Sequence, residues 1–349
     1  MKILHTPSDV GGQAWGLSRA ERILGYYSDN VIFQAGKFLY NSDVNLHLEN
    51  KTLFLQLILQ VIFFLKCITK YNVFHFYFGQ SLLPRNIDLP ILKFFRKKIF
   101  FTFQGCDIRL HKTKLAWDNH HCIIVHTHSC NIISDHEKLK KIKFISKYSN
   151  KTFVLNPDLK LASTTSEMLP YSHIDLNIWK PIKNNKISMP KKKILTVVHA
   201  PTDREIKGTQ YIIDTVKKLS ENGYRIKLQL LENLTHIEMI SACLKADLAI
   251  DQLLIGWYGG YAVEMMALEK PVICYLDKRL SSFVPYYNKI PIINASPKTL
   301  YSVLEDFLKN AESIHQIGIK SRKFVEKIHN PITIAQKLTN IYKDAYSKS

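Results

Sequence analysis

Lys207 and Arg204 sit where two cations can meet an anion. In the run His199-Ala200-Pro201-Thr202-Asp203-Arg204-Glu205-Ile206-Lys207-Gly208-Thr209 they bracket the start of a helix that follows a strand-like segment. Two cations and a positive dipole end on one point suit a diphosphate, the plainer alternative being Thr209 as a helix cap between two surface cations. A second run, Asp251 to Val272, holds a glycine-rich turn (Gly256, Gly259, Gly260), then a helix expected to carry Glu264 in its first turn. A carboxylate behind a phosphate-cradling turn is placed to accept hydrogen bonds from ribose hydroxyls; the same glutamate can also simply offset the helix dipole. Gly11 and Gly12, in Asp9-Val10-Gly11-Gly12-Gln13, let backbone amides approach an anion closely, although the full G-x-G-x-x-G dinucleotide fingerprint is absent. The last candidate, His120 to Cys130, puts His126 and His128 on one face if extended. Its spacing matches no zinc signature, so no metal is assigned to it.

These loops need strands and helices to aim them. Strand-like runs are expected at Lys2–His5, Val31–Phe33, Val73–Phe78, Ile99–Phe103, Ile123–His126 and Thr152–Leu155, with helices at Leu17–Leu24, Leu53–Ile68, Leu89–Arg96 and Asp135–Tyr148 between them. Pro181 to Lys193 reads as a linker. Alternation then restarts with strands Ile194–Val198, Lys227–Leu231, Leu248–Ile250 and Val272–Tyr275 and helices Thr209–Ser220, Thr235–Leu244 and Tyr261–Leu268. Helical regions follow at Pro297–Lys309 and Ile332–Ala345. The pattern predicts an α/β protein of two doubly wound, Rossmann-like parallel-sheet domains facing a cleft: an N-terminal acceptor-side domain over 1–180, a C-terminal nucleotide-binding domain over 181–330, and a C-terminal helix over 331–349 packing back toward the first. Ligands of such folds lie beyond the carboxyl ends of the strands.

Composition narrows the partners. Lys plus Arg number 48 against 29 Asp plus Glu, a formal charge of +19, in a chain 46% hydrophobic and 22% charged. That excludes a largely disordered chain and implies anionic partners. Nucleic acid is not expected, because no helix-turn-helix, RNP or zinc-finger pattern accompanies the charge. Six scattered cysteines fit reduced thiols, and the N-terminus shows no cleavable apolar leader, so a cytoplasmic protein is expected, peripheral on the inner face of a membrane. The longest apolar stretch, Leu53 to Leu65, carries Gln56 and Gln60 and falls short of the ~20 residues that span a bilayer. A buried helix is expected there. Lys93-Phe94-Phe95-Arg96-Lys97-Lys98, with Lys66 and Lys70, could dock on anionic lipid, unless the phenylalanines belong to the core.

Gly256–Val272 resembles the E-G-F-G-x-x-x-x-E-A-M-A-x-G-x-P-V segment of retaining GT-B glycosyltransferases of the bacterial polysaccharide type. His199–Gly208 is similar to the Lys-Gly loop of their nucleotide domain, Pro170–Pro181 to their interdomain N-G-V-D-x-x-x-F-x-P, and Phe101–Asp107 to their H-G-S-D segment. The resemblance implies transfer of a sugar, with retention and without a metal or other cofactor, from a nucleotide-sugar donor to a hydroxyl of a glycan or lipid-linked acceptor. It implies catalytic roles for Lys207, Arg204 and Gln104, and donor contacts from Gly11, Gly12, His199, Gly208, Thr209, Trp257, Tyr258, Gly259, Gly260 and Glu264. Four positions depart from the pattern: Gly256 replaces the first glutamate, Gln104 the histidine, Glu269 a helix-ending glycine, and Arg204 lies closer to the lysine than the family's arginine does, so that it is a substitute. The first two, with the +19 charge, motivate an alternative, a GT-B-fold protein that has lost transfer and binds a polyanion or membrane surface.

Overall fold

Strands buried on both faces appear in sequence as near-continuous apolar runs, and Val73–Tyr77 and Lys98–Phe103 are buried at every position, His75, Lys98 and Thr102 included. The computed structural model describes residues 1–36, 40–111, 133–182, 194–310 and 312–347. They form two units, one of 1–111, 133–174 and 329–347 and one of 175–328.

The first unit is built on a parallel sheet of β1 (Lys2–Thr6), β2 (Tyr27–Ile32), β3 (Val44–Asn45), β4 (Val73–Tyr77), β5 (Lys98–Phe103), β6 (Lys151–Val154) and β7 (Glu167–Met168), in the order β3-β2-β1-β4-β5-β6-β7. Its helices are α1 (Gln13–Ile23), α2 (Leu53–Lys70), α3 (Leu89–Phe94) and α4 (Asp135–Tyr148). A capping box between Ser134 and Glu137 starts α4. The second unit has the parallel sheet β12-β11-β10-β8-β9, from β8 (Leu195–His199), β9 (Ile226–Leu230), β10 (Leu248–Ile250), β11 (Val272–Cys274) and β12 (Ile293–Asn294). Its helices are α5 (Arg204–Lys207), α6 (Thr209–Glu221), α7 (His236–Lys245), α8 (Gly260–Ala267), α9 (Leu300–Lys309) and α10 (Glu312–Ile328).

The last helix, α11 (Pro331–Ser347), belongs to the first unit. Alternation along β1, β4 and β5 decides what packs where. Leu4, Phe74 and Phe101 meet Phe64 and Cys67 of α2, Leu89 and Leu92 of α3 and Ile142 and Ile145 of α4. Ile3, Val73 and Phe100 meet Leu17 and Ala20 of α1 and Ile334, Leu338 and Tyr342 of α11 on the other side. The Tyr342 hydroxyl lies 2.6 Å from Nδ1 of buried His75, which fastens α11 to β4.

Both sheets reverse direction beside their first strand. In the first unit the turning point is between β1 and β4, in the second between β8 and β10, and the crevice at the carboxyl ends of such a pair is where α/β folds bind ligands.

Several expectations change. The Leu53–Leu65 helix is not buried: α2 buries only Phe64 and Cys67. Phe94 and Phe95 are exposed, not core. Lys138 of α4 is buried, with Nζ 2.7 Å from the Arg109 carbonyl. α10 was not foreseen, and the segments Ile123–His126 and His120–Cys130 lie outside the described residues.

Candidate functional site

In the second unit the loop after β8 turns at once into α5. Asp203 caps it, accepting from the amides of Glu205 and Ile206 at 3.0 Å each. Gly208 then adopts φ 74°, and a Cβ there would stand 3.2 Å from Leu254, so a glycine is needed between α5 and α6. This turn directs Lys207 inward. Its Nζ lies 2.8 Å from Asp251 Oδ1 and 2.6 Å from Gln252 Oε1, with the lysine side chain 11% exposed and the aspartate fully buried. The other carboxylate oxygen of Asp251 accepts the Gly259 amide at 2.6 Å.

Asp251 therefore ties Lys207 to the Gly259-Gly260 turn at the head of α8. A Cβ on Gly259 would stand 3.5 Å from Lys207 Nζ. No side chain caps that helix and no acidic residue occupies its first turn. An ammonium and an uncapped helix N-terminus thus converge beside the crevice between β8 and β10. An ammonium has three N–H donors; Asp251 and Gln252 take two, leaving one for an anion. The anion would also meet the dipole end of α8.

The remaining predicted residues separate by burial. His199 and Thr209 are buried and bonded to each other: His199 Nδ1 donates to the Ile250 carbonyl at 2.8 Å, so Nε2 accepts the Thr209 hydroxyl at 2.9 Å. Burial pushes the His199 pKa down to about 4, so the ring is neutral. The pair fastens β8 to β10 and to α6. Trp257 and Tyr258 are also buried, their rings stacked at 4.6 Å. Glu264 is half-buried in α8, one residue deeper than expected because the helix starts at Gly260. Gly256 is buried, its carbonyl accepting from the Asp277 amide.

Arg204 does not join Lys207. It makes two hydrogen bonds to Glu232, in the loop after β9, and is 57% exposed. The Glu232 carboxylate raises the arginine pKa and is itself lowered by it. Asp251, Gln252 and Glu232 are the residues to which the sequence alone assigned no role; each follows a strand's carboxyl end, which is the available signal.

In the first unit Gly11 and Gly12 both take left-handed φ, 67° and 71°, ahead of α1. Asp9 caps that helix through the Ala14 and Trp15 amides, and burial pushes its pKa up to about 6. Gln104 reaches this loop, with Nε2 3.2 Å from the Val10 carbonyl, while its buried Oε1 has no hydrogen-bond partner among the described residues. The structure thus brings Gln104 to the Gly11-Gly12 loop, and Lys207 to Gly259-Gly260.

Similar architecture occurs in sucrose-phosphate synthase from Thermosynechococcus elongatus, with 14% identity, TM-score 0.67 and full coverage of both chains. It occurs also in Anabaena HepE in complex with UDP-glucose (12%, 0.63, covering 99% of this chain and 100% of that one). A putative UDP-N-acetylglucosamine 2-epimerase from Listeria monocytogenes is a third (12%, 0.57, 99% and 96%). The chain has the GT-B fold. No protein-family model and no curated protein sequence matches it. Within this GT-B chain, Lys207, Asp251 and the Gly259-Gly260 turn stand at the fold's ligand-binding position in the second unit.

Proposed function

We propose that this GT-B chain is a glycosyltransferase of polysaccharide biosynthesis. It moves a sugar, with retention and without a metal, from a nucleoside-diphosphate sugar to a hydroxyl of a lipid-linked glycan, at the cytoplasmic face of a membrane. The observation that carries the reading is the buried Lys207–Asp251 pair, held against the Gly259-Gly260 helix start at the switch point of the second unit. The solved structures of the same fold bound to UDP-glucose and of sucrose-phosphate synthase support it.

As the anomeric bond breaks, negative charge grows on the leaving diphosphate, and donors already oriented toward it lower the barrier. Lys207 Nζ and the α8 amides are such donors. Asp251 is a positioning residue that fixes both. Arg204 exchanges Glu232 for a phosphate oxygen at little cost, because exposed ion pairs are weak. Glu264 accepts from ribose hydroxyls, and Gln104 with the Gly11-Gly12 loop offers neutral hydrogen bonds in place of a histidine.

The test is incubation of purified protein with a panel of nucleoside-diphosphate sugars and a lipid-linked acceptor, following product by mass spectrometry and anomeric configuration by NMR. Transfer with retention, unchanged by EDTA, is expected. Epimerised donor without transfer, or salt-sensitive polyanion binding without any saturable response to nucleoside diphosphates, would overturn the proposal.

A further inference from the structure

α2 is turned the opposite way from an ordinary surface helix. Gln56 and Gln60, half-buried, fall on the stripe that continues into Phe64 and Cys67, the helix's two buried side chains; Phe63 and Ile68 pack partly against the core, and most of the other aliphatic and aromatic residues are exposed. Phe54 is 74% exposed and Leu65 58%, and Leu57, Ile58 and Val61 are exposed between them. α3 packs on the same face of the sheet and ends in Phe94 and Phe95, 81% and 55% exposed, rings edge to face at 5.4 Å. The segments that follow the two helices are joined: Lys97, just past α3, donates from Nζ to the carbonyl of Tyr71, the residue after α2, at 2.9 Å. Exposed apolar side chains in this number on one side of a unit mark an interaction site.

Its charge says what covers it. From Lys51 to Cys106 the one acidic residue is Asp88, which is buried and bonded to Ser81 and to the Leu82 and Leu83 amides. Lys51, Lys66, Lys93 and Arg96 are exposed around the apolar face. A second copy of the chain would set like charges against each other; an anionic lipid surface neutralises them while its acyl region takes the apolar side chains.

We propose that α2 and the Phe94-Phe95 tip of α3 form a docking face that lies in the interfacial plane of an anionic bilayer. α2 is long and apolar enough to cross a membrane by length and composition. Topology forbids that here: α2 joins β3 to β4, and both strands belong to one sheet, β3-β2-β1-β4, which cannot have its edge on one side of a bilayer and its centre on the other. The helix therefore lies along the surface. The inference rests on α2 and α3 alone and does not depend on the transferase reading.

The experiment is flotation of the full chain with phosphatidylglycerol-containing or pure phosphatidylcholine vesicles. At low salt, flotation with the anionic vesicles is expected to exceed that with neutral ones by at least about tenfold, and to weaken strongly near ~0.5 M NaCl, where screening is short-ranged. The combined change Phe54→Ser, Val61→Ser, Leu65→Ser and Phe94→Ser, all at exposed positions, is expected to lower it at least about tenfold. Its thermal midpoint and its thermal shift with UDP stay those of the parent protein, which keeps loss of docking distinct from loss of folding or of the donor site. The proposal is overturned if neither vesicle type binds, or if the variant floats like the parent. It is overturned as well if light scattering shows a dimer that the variant dissolves, or if bound protein resists an alkaline carbonate wash as a spanning protein would.

Discussion

Replacing Lys207 with Met tests whether the ammonium serves the phosphates or only the fold. Asp251 is fully buried and its Oδ1 has Lys207 as ion-pair partner at 2.8 Å, so the substitution leaves a buried carboxylate held by the Gly259 amide alone. Breaking a buried pair from one side costs about 3–5 kcal/mol. With an m-value of about 2 kcal/mol/M for a unit of this size, urea midpoints of the second unit should fall by about 1.5 M or more. The sequence alone suggests that removing Lys207 leaves folding nearly untouched; the buried partner reverses that expectation. Transfer should also fall at least about 100-fold, close to 2.7 kcal/mol in the barrier, because the leaving diphosphate loses its oriented cation. The two effects separate in the double variant Lys207→Met, Asp251→Asn, where the asparagine still accepts from Gly259 but carries no charge. Most of the lost stability should return, and none of the activity. Circular dichroism in urea and a radiolabelled transfer assay at saturating donor read both quantities. Unaltered urea midpoints in the single variant would refute the buried-pair argument, and a double variant recovering more than a tenth of parent activity would refute the phosphate role.

Glu264→Gln should weaken nucleoside diphosphate binding more than pyrophosphate binding in calorimetry, since only the former presents ribose hydroxyls; equal losses would make Glu264 structural. His199 ties stability to pH: its folded pKa of about 4 lies below the unfolded value, so the unfolded chain takes up protons first as pH falls. The stability is fully present above about pH 6.5 and is lost progressively toward pH 4, by about 2–3 kcal/mol at pH 4.5, and a thermal melt of the second unit that does not move over that range contradicts it. Glu269, at φ 59°, ends α8 in the left-handed region, so Glu269→Gly should stabilise by about 1 kcal/mol. Gly318→Ala should do the reverse, by about 1–3 kcal/mol in urea titrations, because its Cβ would stand 2.1 Å from the Glu269 carbonyl oxygen.

What was legible in the sequence was whatever is written locally. The largely apolar runs at β4, β5 and β10 announce strands buried on both faces, and Ser134 with Glu137, or Thr235 with Glu238, announce helix starts. The edge strands β3, β7 and β12 are two residues each, too short for any period to show. The same division holds in the site. Lys207 and Gly259-Gly260 are visible because a cation and a glycine turn after strands have chemistry of their own. Their joining through Asp251 depends on β10 lying beside β8 and not beside β9, and the separation of Arg204 toward Glu232 depends on β9 lying on the other side. Strand order is a property of the whole sheet, so no window of sequence contains it.

α2 marks a different limit. Periodicity states which residues share a face: glutamines four apart make a stripe, and Leu, Ile and Phe take the rest. Deciding which face turns inward requires an assumption about what lies outside, and the assumption of water would put Gln56 and Gln60 on the surface. In the fold both are half-buried on the stripe of Phe64 and Cys67, and most of the apolar side chains are exposed. Placing half-buried glutamines at inward-facing positions while Phe54 and Leu65 stay exposed gives up hydrophobic stabilisation in water. The docking proposed above would recover that stabilisation, with Lys51 and Lys66 exposed near the ends of the helix to meet a charged boundary. The orientation of this one helix thus bears on the surroundings in which the protein works.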